Sequence, residues 1–237
     1  MMLFGRCRAD LQSRLGAIDV PDRVSQLVVV LSENWDSSVG VMRLFEREEG
    51  DWREVGPRMD VVLGGNGMGW GIGVPWKQRS GPIKVEGDGR SPAGAFELTA
   101  TFGYAPRPPD GTALPYRPVT EYDYFVDDPV SEDYNKWVRI GEDDKPTDRW
   151  YSFEIMLRPD SLYEYGIIVG HNMAPVVKRR GSAIFIHIWR SPGVPTSGCT
   201  ALARSDLLHL ISWLDIAHNP LLLQLPGTEI DGFRFLP

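Results

Sequence analysis

The run from Leu27 to Leu31 is apolar at every position and β-branched at its centre, the pattern of a strand buried on both faces. Residues 40–47 alternate instead, with Val41, Leu44 and Phe45 set among polar neighbours, which predicts a strand with one wetter face. Short apolar runs at 59–63, 166–170 and 221–226 read as further strands. At 183–189 the alternation is clean: Ile184, Ile186 and Ile188 fall on one face, Phe185, His187 and Trp189 on the other. One convincing helix follows, with Ser205 as its N-cap, an apolar stripe of Leu207, Leu208, Ile211 and Leu214, and Asn219-Pro220 as its stop. Residues 10–24 are polar with scattered Leu and Ile, which predicts a short N-terminal helix. The expected organisation is an N-terminal segment over 1–25 and one domain over 26–237.

Between these elements the pattern weakens. Residues 104–150 are rich in Pro, Tyr and acidic residues with little periodicity, so long surface loops are predicted, with 121–149 as a candidate lid. The tract GGNGMGWGIG at 64–73 holds no GxGxxG register, and Pro75 stands where a phosphate-binding helix would begin. It predicts a glycine-rich loop or hairpin in which backbone approaches a neighbour closely.

Composition narrows the class. Twenty-five Gly and 19 Pro in 237 residues favour short strands and many turns over a helical bundle. A net charge of −7 and a pI near 5.2 argue against a broad basic face for nucleic acid. No apolar run reaches the roughly 18 residues of a transmembrane helix, and residues 1–20 contain no continuous apolar core of a signal peptide. Cys7 and Cys199 are too far apart to form a metal-binding spacing, and the four histidines make no paired ligand motif. No metal or cofactor is expected.

The chemistry concentrates in the last third. His187 lies on a predicted strand, and Cys199 follows twelve residues later, after a loop with prolines at 192 and 195. Such a loop can fold the thiol back toward the imidazole, which would serve as its base. Gly198 permits a sharp turn, and backbone N–H groups over 198–200 can face an oxyanion. The competing reading is plain core packing, since cysteines and strand histidines are often simply buried. His171, beside Asn172, is a second candidate base or orienting group, equally well read as a turn histidine. His209 and His218 suit a helix and its end. Trp70, Trp76, Trp189 and Tyr104 are candidates for an aromatic groove, though aromatics more often fill cores.

Three blocks carry a resemblance. IFIHIW followed by PTSGCTAL resembles the active-site signature of the L,D-transpeptidase (YkuD-like) family. EGDGRSPAGAFEL at 86–98 is similar to a second family element, and 27–47 to the opening hairpin of one branch. With YNKW at 134–137 and GHN at 170–172 the similarity spans about 26 to 226. The resemblance implies a mainly β fold with some α, a single mixed, sandwich-like catalytic domain with one principal C-terminal helix. It implies acyl transfer on peptidoglycan tetrapeptide stems, with Cys199 as nucleophile, His187 as base, and Gly198, Ser197 and Thr200 in the oxyanion turn. His171, Asn172, Arg190 and Arg204 are supporting candidates. The usual turn carries a histidine where this chain has Ser197, and Arg or Asn after the cysteine where it has Ala201. Arg190 or Arg204 would then hold a substrate carboxylate. Transpeptidase, L,D-carboxypeptidase or cell-wall amidase with the same two residues, and non-catalytic wall-binding module stay open, as do envelope and cytoplasm.

Overall fold

The computed structural model describes residues 11–77 and 79–236; Cys7 lies outside them. A helix over 11–16 (α1) opens the described chain. The strands are β1 (Gln26–Ser32), β2 (Val39–Glu48), β3 (Asp51–Val62), β4 (Met68–Trp70), β5 (Ser91–Gly103), β6 (Tyr116–Pro118), β7 (Asp123–Val126), β8 (Lys136–Arg139), β9 (Phe153–Ile155), β10 (Tyr165–Val169), β11 (Phe185–Ile188), β12 (Thr200–Leu202) and β13 (Leu221–Pro226), and the main helix is α2 (Arg204–Trp213). The fold is mainly β with one principal helix, as the sequence implies.

The main sheet runs β10-β11-β12-β3-β2-β1-β13-β5-β4, with β6 also on β5. The long strand β5 pairs with β13 through Gly94–Glu97 and with β10 through Leu98–Gly103. It therefore links β13 back to β10, the first strand of the path, and closes the sheet on itself. The centre of β1, Leu27 to Leu31, is apolar because it lies inside that sheet, parallel to β13 and antiparallel to β2. The β2–β3 hairpin turns on Glu49 and Gly50, both at positive φ, the geometry that matches the twist of the flanking strands.

Side-chain alternation on β11 divides the interior. Ile184, Ile186 and Ile188 join the main core with Phe45, Phe96 and Trp70. Leu11, Leu15 and Ile18 of the N-terminal segment pack into that same core. Phe185 points the other way, into a second cluster with Phe102, Phe125, Tyr163 and Cys199. The glycine tract makes the close approach expected of it. A Cβ on Gly67 would lie 2.0 Å from the Trp35 carbonyl oxygen, and one on Gly73 2.0 Å from that of Ala95.

Three expectations need correction. α2 begins at Arg204 after Ala203, which offers no side-chain cap, so Ser205 lies inside the helix. Its buried residues are Leu207, Leu210 and Ile211, with Leu208 only half-buried, and it ends at Trp213. Asn219 instead caps the short 3-10 turn Ile216–His218 in a left-handed conformation. Third, 104–150 is not all loop. β7, β8 and β9 form a separate sheet in the order β8-β7-β9, with its own small core of Val126, Ile140 and Trp150. Asp123 organises it: burial pushes its carboxyl up, but Arg139, Trp137 and Thr120 outweigh that and hold it down at about 2.

Candidate active site

Cys199 stands one residue before β12. Ile186 pairs with Thr200 and His187 with Ala201 in the parallel β11–β12 ladder, so the register continues to Cys199 beside Phe185. His187 lies two residues further along β11 on the same face. Both line a cavity of about 410 Å³. Two larger clefts, of about 710 and 760 Å³, contain neither cysteine nor histidine.

The turn before Cys199 is held from several sides. Gly198 has φ +152, a value that suits only glycine, and its N–H donates to Thr196 Oγ1 at 3.1 Å. That bond occupies the Gly198 N–H, so the oxyanion role expected of it is not available in this arrangement. The Thr196 hydroxyl donates to the Cys199 carbonyl at 2.7 Å, and the Ser91 hydroxyl does so at 3.0 Å while accepting from Gly64 N–H at 2.9 Å. The GDGRSPAGAF block thus buttresses the cysteine turn. Replacing Ser91 by Ala leaves the Gly64 N–H without this partner, while the Cys199 carbonyl keeps only the Thr196 hydroxyl. We expect Ser91→Ala to lower unfolding stability by about 1–3 kcal/mol, measured by urea titration; an unchanged midpoint at equal m-value would contradict this buttress.

The thiol and imidazole are both buried, 8% and 7% exposed. Burial pushes the Cys199 thiol up to about 12, against the Phe185 N–H, which lowers it. Burial likewise holds His187 down at about 4. Both groups are therefore neutral at pH 7, and a resting thiolate is not what the site holds. Sγ accepts from Phe185 N–H at 3.3 Å, and the thiol donates to the Ala183 carbonyl at 3.4 Å. Among the described residues no hydrogen bond joins thiol to imidazole. His187 Nδ1 lies 2.8 Å from the Ile188 carbonyl, which only accepts. Nδ1 therefore carries the proton, and the lone pair is on Nε2. Tyr163 packs edge-on against the ring at 5.2 Å.

The other candidates separate. Ser197 lines the cavity and is exposed. Thr200 points into the core, its hydroxyl on Gln224 Oε1 at 2.7 Å, and so leaves the oxyanion turn. His171 and Asn172 are not at the cavity. His171 Nδ1 accepts from Ile72 N–H at 3.2 Å, and Nε2–H donates to the Arg180 carbonyl at 3.0 Å. Asn172, at φ +54, binds Val177 and Gly181 backbone and shapes the following loop. Arg190 lines the cavity, whereas Arg204 pairs with Glu164 at 2.8 Å outside it. Trp70 is buried and meets Trp35 edge-on and Trp76 at a tilt, and Trp76 stacks on Phe233 at the edge of the core. Trp189 lines the 710 Å³ cleft, and the Tyr104 hydroxyl donates to the Asp160 carbonyl. None of the four aromatics reaches the Cys199 cavity.

Sequence reasoning missed the opposite wall. Asp127, Glu154, Arg158 and Tyr163 come from the small sheet and the segment after it, and Lys84 and Glu86 from the stretch before β5. From the acidic stretch proposed as a lid, Asp127 alone contributes to the cavity lining. Arg158 is clamped by Asp160 through two bonds of 2.9 Å. No helix of the described residues is long and apolar enough to cross a membrane, and no group of His, Cys, Asp and Glu among them is arranged to hold a metal.

Comparison with known proteins gives two findings. The model of the YkuD family, the L,D-transpeptidase catalytic domain, matches residues 41–230. Two solved structures of the helical cell shape determining protein Pgp2 from Campylobacter jejuni, one a point mutant, are similar at 14% and 15% identity. They cover 92% and 91% of this chain and 54% and 56% of their own, with TM-scores of 0.43 and 0.40. The chain thus spans about half the length of those structures. A search of the curated proteins gave no match.

Proposed function

Because the chain belongs to the family of L,D-transpeptidase catalytic domains, we propose that it is a cysteine acyltransferase acting on peptidoglycan stem peptides in the cell envelope. The observation that carries this reading is the convergence of His187, Cys199 and the GDGRSPAGAF block on one cavity. In the proposed reaction the Cys199 sulfur attacks the carbonyl of the diaminoacyl residue of a tetrapeptide stem. His187 Nε2 takes the thiol proton and passes it to the amine of the leaving D-alanine, which departs as a thioester forms on Cys199. An incoming amine then gives a proton to His187, attacks the thioester and forms the new amide, and the proton returns to the thiol. The sulfur must first leave the Ala183 carbonyl and swing toward Nε2. In this scheme the Cys199 backbone N–H serves the oxyanion, and Arg190, which lines the cavity, holds a stem carboxylate.

The test is mass spectrometry of the protein incubated with disaccharide-tetrapeptide and an excess of a non-native D-amino acid. Exchange of the terminal D-alanine that requires Cys199 supports the transferase. Loss of D-alanine without exchange would make the protein an L,D-carboxypeptidase with the same two residues. No turnover at all would point to a non-catalytic wall-binding module.

A further inference from the structure

The backbone that holds the thiol is itself held from two distant segments. Ala183 has φ +53, a left-handed conformation unfavourable for a residue with a Cβ. Its carbonyl accepts the Cys199 S–H, and its N–H donates to Asn135 Oδ1 at 3.1 Å. The Asn135 amide donates in turn to the His171 and Asn172 carbonyls, which uses both its N–H groups. One residue earlier, the Ser182 hydroxyl donates to Glu86 Oε2 at 2.7 Å, and the same oxygen accepts from the Tyr134 hydroxyl. Ser182, Tyr134 and Asn135 are all buried, whereas Glu86 is half-buried and lines the cavity.

We infer that Glu86 is a positioning residue for the Cys199 thiol: through Ser182 it fixes the Ala183 carbonyl as the acceptor that keeps the thiol protonated and turned from His187. The inference rests on the reading of Cys199 as nucleophile. A fixed carbonyl oxygen accepts S–H but repels a thiolate, so anchoring it favours the neutral form. The charged and titratable groups that line the cavity with the thiol are His187 on β11 and Arg190 just after it, Asp127, Glu154, Arg158 and Tyr163 from the small sheet and the segment after it, and Lys84 beside Glu86. Glu86 alone reaches the thiol through the backbone that binds it. Substrate entering the cavity displaces this contact and hands the thiol to His187.

The experiment is the pH profile of Cys199 alkylation by iodoacetamide, read by peptide mass spectrometry so that Cys7 is scored separately. Alkylation reports the thiol whether or not the protein turns over, so it stands apart from the acyl-transfer assay. Ser182→Ala keeps the Glu86 charge and removes the link. It is expected to label about tenfold faster than the parent near pH 8, with its profile moved to lower pH. Glu86→Ala should do the same, whereas Glu86→Gln, which keeps an acceptor oxygen for the Ser182 hydroxyl, should change the profile little. Tyr134→Phe, which loosens Glu86 without emptying the core, should accelerate labelling less but in the same direction, and decides the matter if Ser182→Ala does not fold. An unchanged profile in folded Ser182→Ala overturns the inference. Acceleration by Glu86→Gln alone also overturns it, because charge rather than position would then be acting.

Discussion

Cys199→Ala is expected to abolish both release and exchange of D-alanine, and His187→Ala to slow them by about 10²–10⁴-fold, the usual worth of a positioned general base. The pH dependence is the more searching part. Burial holds the imidazole at about 4 and the thiol near 12, so the free protein enters the reaction as a neutral pair. The rate constant for acylation at low substrate should then stay level between about pH 6 and 9 and fall only as His187 gains a proton near pH 4. A preformed thiolate–imidazolium pair behaves differently, with a bell centred near neutrality. Stopped assays of D-alanine release across that range distinguish the two. A rate that rises and falls about pH 7 would sink the neutral-pair description.

The second large effect is on stability in mild acid. His171 and His187 are both buried and neutral, each held by burial at about 4 against an ordinary value of 6.5. His171 has a further reason to resist a proton, since the positive charges of Lys84 and Arg180 oppose it. The folded state thus binds these protons later than the unfolded chain. Their contribution is fully present above pH 6.5 and is lost as the pH falls toward 4. Each lost increment is about 3 kcal/mol at the limit, from roughly 1.4 kcal/mol per unit of displacement. Urea midpoints at pH 7.5, 5.5 and 4.5 should fall steeply, and His171→Gln should start less stable yet show a flatter decline. Equal steepness in the variant and parent would show that His171 is not one of the groups responsible.

How much of this could be read beforehand depends on the kind of signal. β1 and β13 were legible because both faces of each are buried, which leaves continuous apolar runs. The β11 alternation was legible for the opposite reason: its two faces meet different clusters. The longest strand, β5, went unread although Phe96-Glu97-Leu98-Thr99 alternates, because Gly94, Pro92 and two small alanines at its start resemble loop. That first stretch, Ser91 to Phe96, is buried throughout. The small sheet was hidden by acidic composition, since Asp123 is buried through its arginine partners rather than exposed as its charge suggests. Of the site, His187 and Cys199 announced themselves through local spacing, and Ser91 through its block. Glu86 opens that same block, whereas Glu154 and Tyr163 carry no such mark, because chain segments far apart in sequence bring them to the cavity.

The pairing of β1 with β13 has a consequence for how the chain reaches this state. β1 can form its hairpin with β2 as soon as both are made, but its other edge waits for almost the last strand of the chain. Until then the edge of Leu27 to Leu31 has no partner, and such an edge is a template for other chains. Closing a parallel pair across nearly the whole sequence is slow, because the loop must be ordered before the contacts reward it. Truncation before Leu221 should therefore yield aggregates rather than a soluble, partly folded sheet, and a chaperone that shields one strand edge should raise the yield of the full chain during synthesis.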